Sequence, residues 1–233
     1  MERLDKLLAG TGRWSRKEVK ELVRTGRVVV NGTKPARPEE KFSPDAEFFV
    51  DGERIICGAL VYLMLHKPDG FVSSTDDPRE KTVLELLPEH LRRVGLFPAG
   101  RLDKDTEGLL LLTNDGQLAH ELLSPKHHVD KTYFVRVDGA LDQSDVEIFQ
   151  TGVTLADGYV CMSAGLERLE QPNEGLVTLR EGKYHQIKRM LASRGKPVVY
   201  LKRLTMGPLV LDEALEKGQW RELTVEEKKA LGR

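Results

Sequence analysis

Only two cysteines, Cys57 and Cys161, occur in the 233 residues. Neither has a CxxC partner or a neighbouring His cluster, which argues against a metal site, and both read as reduced structural thiols. No apolar run approaches the roughly 20 residues that span a bilayer. The opening MERLDKLLAG carries charges where a targeting signal would be apolar, so the expected location is cytoplasmic, with no membrane partner. There is no GxxxxGK[ST] segment or other phosphate-cradling glycine loop, which speaks against an ATP-using enzyme. Internal repeats and low-complexity tracts are missing too. Even net charge is nearly absent, at −1.

What is present is enough for a folded core. Hydrophobic residues make up 39% and charged residues 31% of the chain, a globular balance whose length suits one or two domains, with two the better fit. The charge is unevenly spread. Between Arg3 and Arg37 there are ten Lys or Arg and three acids, and between Arg180 and Arg203 eight Lys or Arg face Glu181 alone. A polyanion responds to such local fields more than to a net charge near zero.

The first basic window has the marks of a small unit. Ser15-Arg16-Lys17-Glu18 has capping-box form and predicts a helix to about Thr25, with Gly26 as its left-handed stop. Arg16, Lys20 and Arg24 follow at successive i,i+4 steps with Lys17 beside them, while Val19, Leu22 and Val23 make an apolar stripe. Val28–Val30 is a strand candidate, Asn31-Gly32 a hairpin signal, and Asp51-Gly52 a second turn between Phe48–Val50 and Ile55-Ile56. Gly58 and Ala59 interrupt the pattern, which sets a boundary: 1–59, then 60–233.

Beyond it the chain reads as one α+β domain. Strands are expected in LVYLMLHKP (60–68), at 108–113, 131–137, 159–167 and 176–180. Helices are expected from Asn114 or Asp115 to Leu123, at 142–150 and 185–194, and after a capping box at Thr224–Glu227. Strands outnumber helices without alternating regularly with them, which argues against a doubly wound sheet.

Arg-Leu-Asp-Lys occurs at 3–6 and again at 101–104. At Asp5 the context is an amphipathic helix start, where an acid is favoured by the macrodipole. At Asp103 it is a loop bounded by Gly100 and Gly108 at the lip of a leucine-rich strand, a common setting for catalytic groups. On residues alone, Asp103, Asp105 and Glu107 could be metal ligands, a glycosidase-like pair or solvated loop acids. Metal is the weaker functional option, because no matching His/Asp set accompanies them.

The stretch GRLDKDTEGLLLLTNDG is similar to the signature of the pseudouridine synthases of the ribosomal small-subunit (RsuA) and related large-subunit types. LHKPDGFVSSTDD (65–77), SPKHHVDKTYFV (124–135) and EGKYHQIKRML (181–191) resemble that family's other motifs, in order. The basic helix running into GRVVVNG resembles the S4-like RNA-binding module that such enzymes carry at the N-terminus. The resemblance implies an α+β chain, with an S4-like domain at 1–59 and a mixed or antiparallel sheet domain at 60–233 that isomerises uridine to pseudouridine in ribosomal RNA.

The motif forms look closest to enzymes of 16S rRNA, implying uridine 516 in a small-subunit assembly intermediate, a monomeric enzyme, and no cofactor or metal. A related 23S rRNA enzyme and a non-catalytic RNA-binding assembly factor stay open as alternatives. Within the resemblance Asp103 is the catalytic carboxylate, and Lys188 its basic partner, a point charge where the family often has Arg. Tyr133 is the aromatic that stacks on the flipped base, its hydroxyl a candidate for taking the C5 proton. Arg101 would contact a phosphate or hold the flipped nucleotide, with a structural ion pair as the plain reading. His185 and Gln186 would shape the helix start and pocket wall, His127 and His128 would be loop or RNA-contact residues, and Arg16, Lys17, Lys20 and Arg24 would meet RNA.

Overall fold

The computed structural model describes residues 1–124 and 129–233. His127 and His128, read above as loop or RNA contacts, lie outside the described residues. Among the described residues no helix is long and apolar enough to cross a membrane.

The N-terminal unit runs β1 (Glu2–Arg3), α1 (Leu4–Ala9), α2 (Arg16–Arg24), β2 (Val28–Val30), β3 (Lys41–Phe42), β4 (Phe48–Val50) and β5 (Glu53–Ile55). The capping box at the start of α2 is formed: Glu18 N–H donates to Ser15 Oγ at 3.2 Å, and Ser15 N–H to Glu18 Oε2 at 2.6 Å. Val19, Leu22 and Val23 bury against Leu4, Leu7 and Leu8 of α1 and against Val28, Val30, Phe48 and Val50 of the strands. This leaves the opposite face of α2, with Arg16, Lys17, Lys20 and Arg24, in solvent.

The two turn signals have different outcomes. Asp51-Gly52 joins β4 to β5 as an antiparallel hairpin, with both residues at positive φ. Asn31-Gly32 also turns tightly, since Val30 and Thr33 exchange both backbone hydrogen bonds, but the hairpin ends at that single bridge and β2 pairs with β4 instead. Pro35 follows two residues after the bridge and has no N–H to continue a ladder.

The second unit comprises β6 (Tyr62–Lys67), α3 (Glu89–Arg92), β7 (Phe97–Pro98), β8 (Glu107–Thr113), α4 (Gly116–Leu123), β9 (Lys131–Val137), α5 (Gln143–Thr151), β10 (Gly165–Arg168), β11 (Glu174–Leu179), α6 (Gln186–Ser193), β12 (Val198–Met206), β13 (Leu209–Val210), β14 (Trp220–Glu222) and α7 (Val225–Ala230). Its sheet has the order β10-β11-β9-β12-β8-β6-β14, with β13 on β12 and β7 on β8. The β8–β12 pair is parallel and its other neighbours antiparallel, so the sheet is mixed.

The leucine run is buried on both faces of this sheet. Leu110 and Leu112 join one apolar cluster, with Leu63, Leu65, Val135 and Ile187, and Leu109 and Leu111 join another, with Met64, Leu118 and Met206. This division follows from the alternation of side chains along a strand.

Two expectations from the sequence need correction. The strand expected at 159–167 is only Gly165–Arg168. Before it, the chain makes a single antiparallel bridge between Thr154 and Val160, and Tyr159 Oη and Met162 N–H donate to the Glu181 carboxylate at 2.8 and 3.0 Å. Conversely β12, nine residues long and central in the sheet, has no counterpart among the expected strands.

Candidate active site

The segment 101–106 leads into β8, and its backbone is held from the segment just after β6. Ser73 Oγ donates to Leu102 O and accepts from Leu102 N–H, both at 3.0 Å. Gly70 N–H donates to Lys104 O at 2.9 Å. Lys67, fully buried, donates through Nζ to Pro68 O (3.0 Å), Lys104 O (3.1 Å) and Thr106 O (2.8 Å). An ammonium has three donors and here meets three carbonyls. Burial pushes the Lys67 amine down from its ordinary 10.5 to about 8, against the pull of Asp69, Asp105, Asp103 and Glu107. The HKPDGFVSS stretch therefore fixes the loop that carries Asp103.

The loop's far end is fixed by a close strand approach. Gly108 lies beside Arg203 in the parallel register at φ +105°, and a Cβ there would sit 2.2 Å from Arg203 O. Only glycine fits at such a position. Next to it the buried Glu107 carboxylate accepts from Tyr200 Oη at 2.6 Å and from Lys217 Nζ at 2.8 Å.

Asp103 is met from across the cleft by α6. Lys188 Nζ lies 3.1 Å from Asp103 Oδ2 and 2.5 Å from Asp105 Oδ1, and His185 Nε2 lies 3.5 Å from Asp103 Oδ1. The cation expected to serve Asp103 is thus shared by two carboxylates, an arrangement that an ammonium, unlike a guanidinium fork, forms without a preferred plane. Burial opposes the charge on Lys188, but its hydrogen bonds to Asp105 and Asp103 outweigh that and raise its pKa. Burial likewise opposes the Asp105 anion, and the bond from Lys188 outweighs it and lowers the pKa. The two acids differ in setting: Asp105 is 67% exposed, while Asp103 is 28% exposed and lines a cleft.

That cleft also contains Arg101, Tyr133, His185, Gln186 and Lys188, so six residues singled out in the sequence converge on it. Tyr133 comes from β9, opposite Arg203 of β12, and is largely buried in the same apolar cluster as Leu102, Leu201 and Ile187. Gln186 accepts from Lys183 N–H at 3.0 Å and donates to Glu181 at 2.6 Å, bracing the turn before α6. His185 begins the helix at φ 47° and stacks on Tyr184, with ring centroids 3.8 Å apart. Arg101 is exposed and, among the described residues, makes no ion pair.

The basic face of α2 is not part of this cleft. Of its four cations, Arg24 is already held by both oxygens of Glu21, at 2.8 and 2.5 Å, whereas Arg16 lines a separate cleft with Arg93 and Asn114. Among the described residues no group of three His, Cys, Asp or Glu is arranged to hold a metal ion. Sequence reasoning does not single out Lys67, Ser73, Lys131 or Arg203, and it leaves Asp105 among undifferentiated loop acids. Lys67 and Ser73 sit in the HKPDGFVSS motif, Lys131 in SPKHHVDKTYFV and Asp105 in GRLDKDTEG, whereas Arg203 lies outside all of the motifs.

The family model of the RNA pseudouridylate synthases matches residues 61–193, and that of the S4 domain residues 2–47. The chain is 50% identical over 230 residues to an uncharacterized RNA pseudouridine synthase of Bacillus subtilis, covering 97% of this chain and 96% of that one. It is 39% identical over 226 residues to ribosomal small subunit pseudouridine synthase A of Escherichia coli K12, covering 97% of each. A crystal structure of a pseudouridylate synthase superposes with a TM-score of 0.71 at 36% identity, over 99% of this chain and 100% of that one.

Proposed function

This chain belongs to the RNA pseudouridylate synthase family, and we propose that it isomerises one uridine of small-subunit ribosomal RNA, uridine 516 of 16S rRNA, with Asp103 as the catalytic carboxylate. The observation that carries the assignment of Asp103 is the contrast with Asp105. Both carboxylates touch Lys188, but Asp103 lines the cleft with Tyr133 and Arg101 while Asp105 faces solvent. The small-subunit target is supported by relatives of that name at 39–40% identity over nearly the whole chain. In this reading residues 1–59 bind RNA and residues 60–233 do the chemistry.

The reaction breaks the N1–C1′ bond of uridine, turns the uracil ring and joins C5 to C1′. The C5 proton is lost and N1 gains one, so the change is redox-neutral. The target base must leave its stack, at a cost of a few kcal/mol. Tyr133 offers it a stacking face, and Arg101, free of any ion pair among the described residues, is placed to hold its phosphate or its vacated position. Asp103, with Lys188 Nζ 3.1 Å from its carboxylate, faces the sugar or ring carbon that is attacked. The Tyr133 hydroxyl, at the same wall, relays the C5 proton, taking it as its own proton passes to solvent. An ammonium shared between Asp103 and Asp105 keeps a counterion beside Asp103 while charge moves during the reaction.

The test is turnover of Asp103→Asn, a shape-preserving change, on RNA labelled with tritium at uridine C5. Tritium release and pseudouridine should both vanish while RNA affinity stays within about twofold. Unchanged release by Asp103→Asn removes the assignment. Mapping pseudouridines in rRNA from cells with and without the protein tests the target: loss at a 23S position instead of 16S uridine 516 rejects the small-subunit reading.

A further inference from the structure

Beside the Asp103 cleft, and sharing Arg101, Tyr133, Glu181 and Lys183 with it, lies a second cavity of about 350 Å³. Its wall holds five cations, Arg101, Lys131, Arg180, Lys183 and Arg203, and one carboxylate, Glu181. Glu181 is already engaged, accepting from Tyr159 Oη, Met162 N–H and Gln186 Nε2. Arg180 is paired with Asp130 at 2.8 Å.

Two of the cations are buried. Arg203 is 2% exposed and Lys131 7%. Arg203 Nε donates to Leu109 O at 2.8 Å, but its Nη2 is enclosed and, among the described residues, has no hydrogen-bond partner. Lys131 Nζ donates to Val129 O at 2.9 Å. Among the described residues neither forms an ion pair. The two repel each other, and burial together with that repulsion lowers the pKa of Lys131. Buried cations in proteins are normally paired, because an unpaired one costs several kcal/mol. Two such groups lining one cavity, one of them with a guanidinium nitrogen that has no partner among the described residues, fit an anion that arrives with the substrate.

We propose that this cavity is a subsite for the RNA backbone, in which Lys131 and Arg203 bind the phosphodiester next to the flipped uridine. The proposal rests on the RNA-modifying reading above. Lys131 and Tyr133 are two positions apart on β9 and therefore project from the same face. The strand that offers a stacking ring to the base thus offers a cation one residue pair away. Neither cation need touch the reacting atoms; they set where the flipped nucleotide comes to rest.

The experiment uses the full-length protein and an rRNA fragment in which the wild type forms pseudouridine. In a set of such RNAs a single phosphodiester flanking the target is replaced by a neutral methylphosphonate, with 2′-O-methyl on the nucleotide 5′ to it, and controls carry only the 2′-O-methyl. At one position the neutral linkage should weaken wild-type binding about tenfold or more, the scale of one charge-assisted hydrogen bond.

Lys131→Met should bind the control RNA correspondingly weakly and show no further loss with the neutral linkage. Lys131→Arg, which keeps the cation, should restore the penalty and guards against a simple failure of the Met variant to fold. Equal, additive losses in wild type and Lys131→Met at every position, or no loss in the wild type, overturn the subsite. If the wild type forms pseudouridine in no rRNA, the parent reading fails instead, and the two failures are told apart.

Discussion

Replacing Lys67 by Met tests whether the Asp103 loop owes its geometry to one buried ammonium. The substitution keeps an unbranched stem and removes three hydrogen bonds, to Pro68 O, Lys104 O and Thr106 O. Lys104 O retains Gly70 N–H as a partner, so the main loss falls on the other two carbonyls, at about 2 kcal/mol each. Against this stands the cost of burying the charge: a pKa lowered from 10.5 to about 8 corresponds to roughly 3 kcal/mol. The net loss of global stability should therefore be small, about 1–2 kcal/mol, and measurable by urea titration.

Activity should suffer far more. Freed at 104 and 106, the loop can move by an ångström, and such a displacement at a reacting group costs about 100-fold in kcat. The wild type should also lose kcat as pH rises through about 8, because a neutral amine has two donors for three carbonyls. Stability runs the other way. Between about 8 and 10.5 the unfolded chain holds the proton and the folded chain does not, so unfolding free energy from this group rises with pH in that window. Single-turnover rates and urea midpoints from pH 7 to 10, for wild type and Lys67→Met, read both effects. A wild-type kcat that is flat across that range, or a Met variant with near wild-type kcat, would refute the reasoning.

Three further outcomes follow from the geometry. Lys188→Met should lower kcat at least 100-fold with RNA affinity nearly unchanged, whereas Asp105→Asn should cost less than tenfold, because Lys188 then keeps Asp103 as its partner; comparable losses in single-turnover rate would show that Asp105 shares the chemistry. Replacing Arg16, Lys17 and Lys20 together by Gln should reduce the slope of log affinity against log salt by about 2, at roughly 0.7 per contact, while Arg24→Gln changes it less, since Glu21 already holds that guanidinium. Gly108→Ala should lose about 3 kcal/mol or more in urea unfolding, from a left-handed φ and a clash with the Arg203 backbone.

Where function depends on neighbours in sequence, the chain can be read directly. The capping boxes at Ser15 and Thr224, the strand at 131–137 and the Asp103 loop are local patterns, and the structure carries them at those residues. The missing pieces are long-range. Lys67 meets carbonyls 37 and 39 residues away, and nothing in HKP itself announces that its ammonium will face backbone. The strand β12 is hidden because Lys202 and Arg203 lie in its middle and draw it into a basic window, although Arg203 is buried between Tyr133 and Gly108. The absent strand at 159–164 has β-forming residues, but they make one bridge, Val160 to Thr154, and Tyr159 and Met162 are held by Glu181, some twenty positions later.

The parallel pairing of β8 with β12 also fixes an order of events in time. Gly108 cannot meet Arg203 until 95 further residues have been made, and β6 is flanked by β14, which ends at Glu222. Contacts of such sequence separation form late and slowly. During synthesis every strand of the S4-like unit, the last of them ending at Ile55, has been made while the synthase sheet still lacks its central strand. A ribosome translating this message therefore exposes the S4-like unit first and completes the synthase sheet only after Glu222.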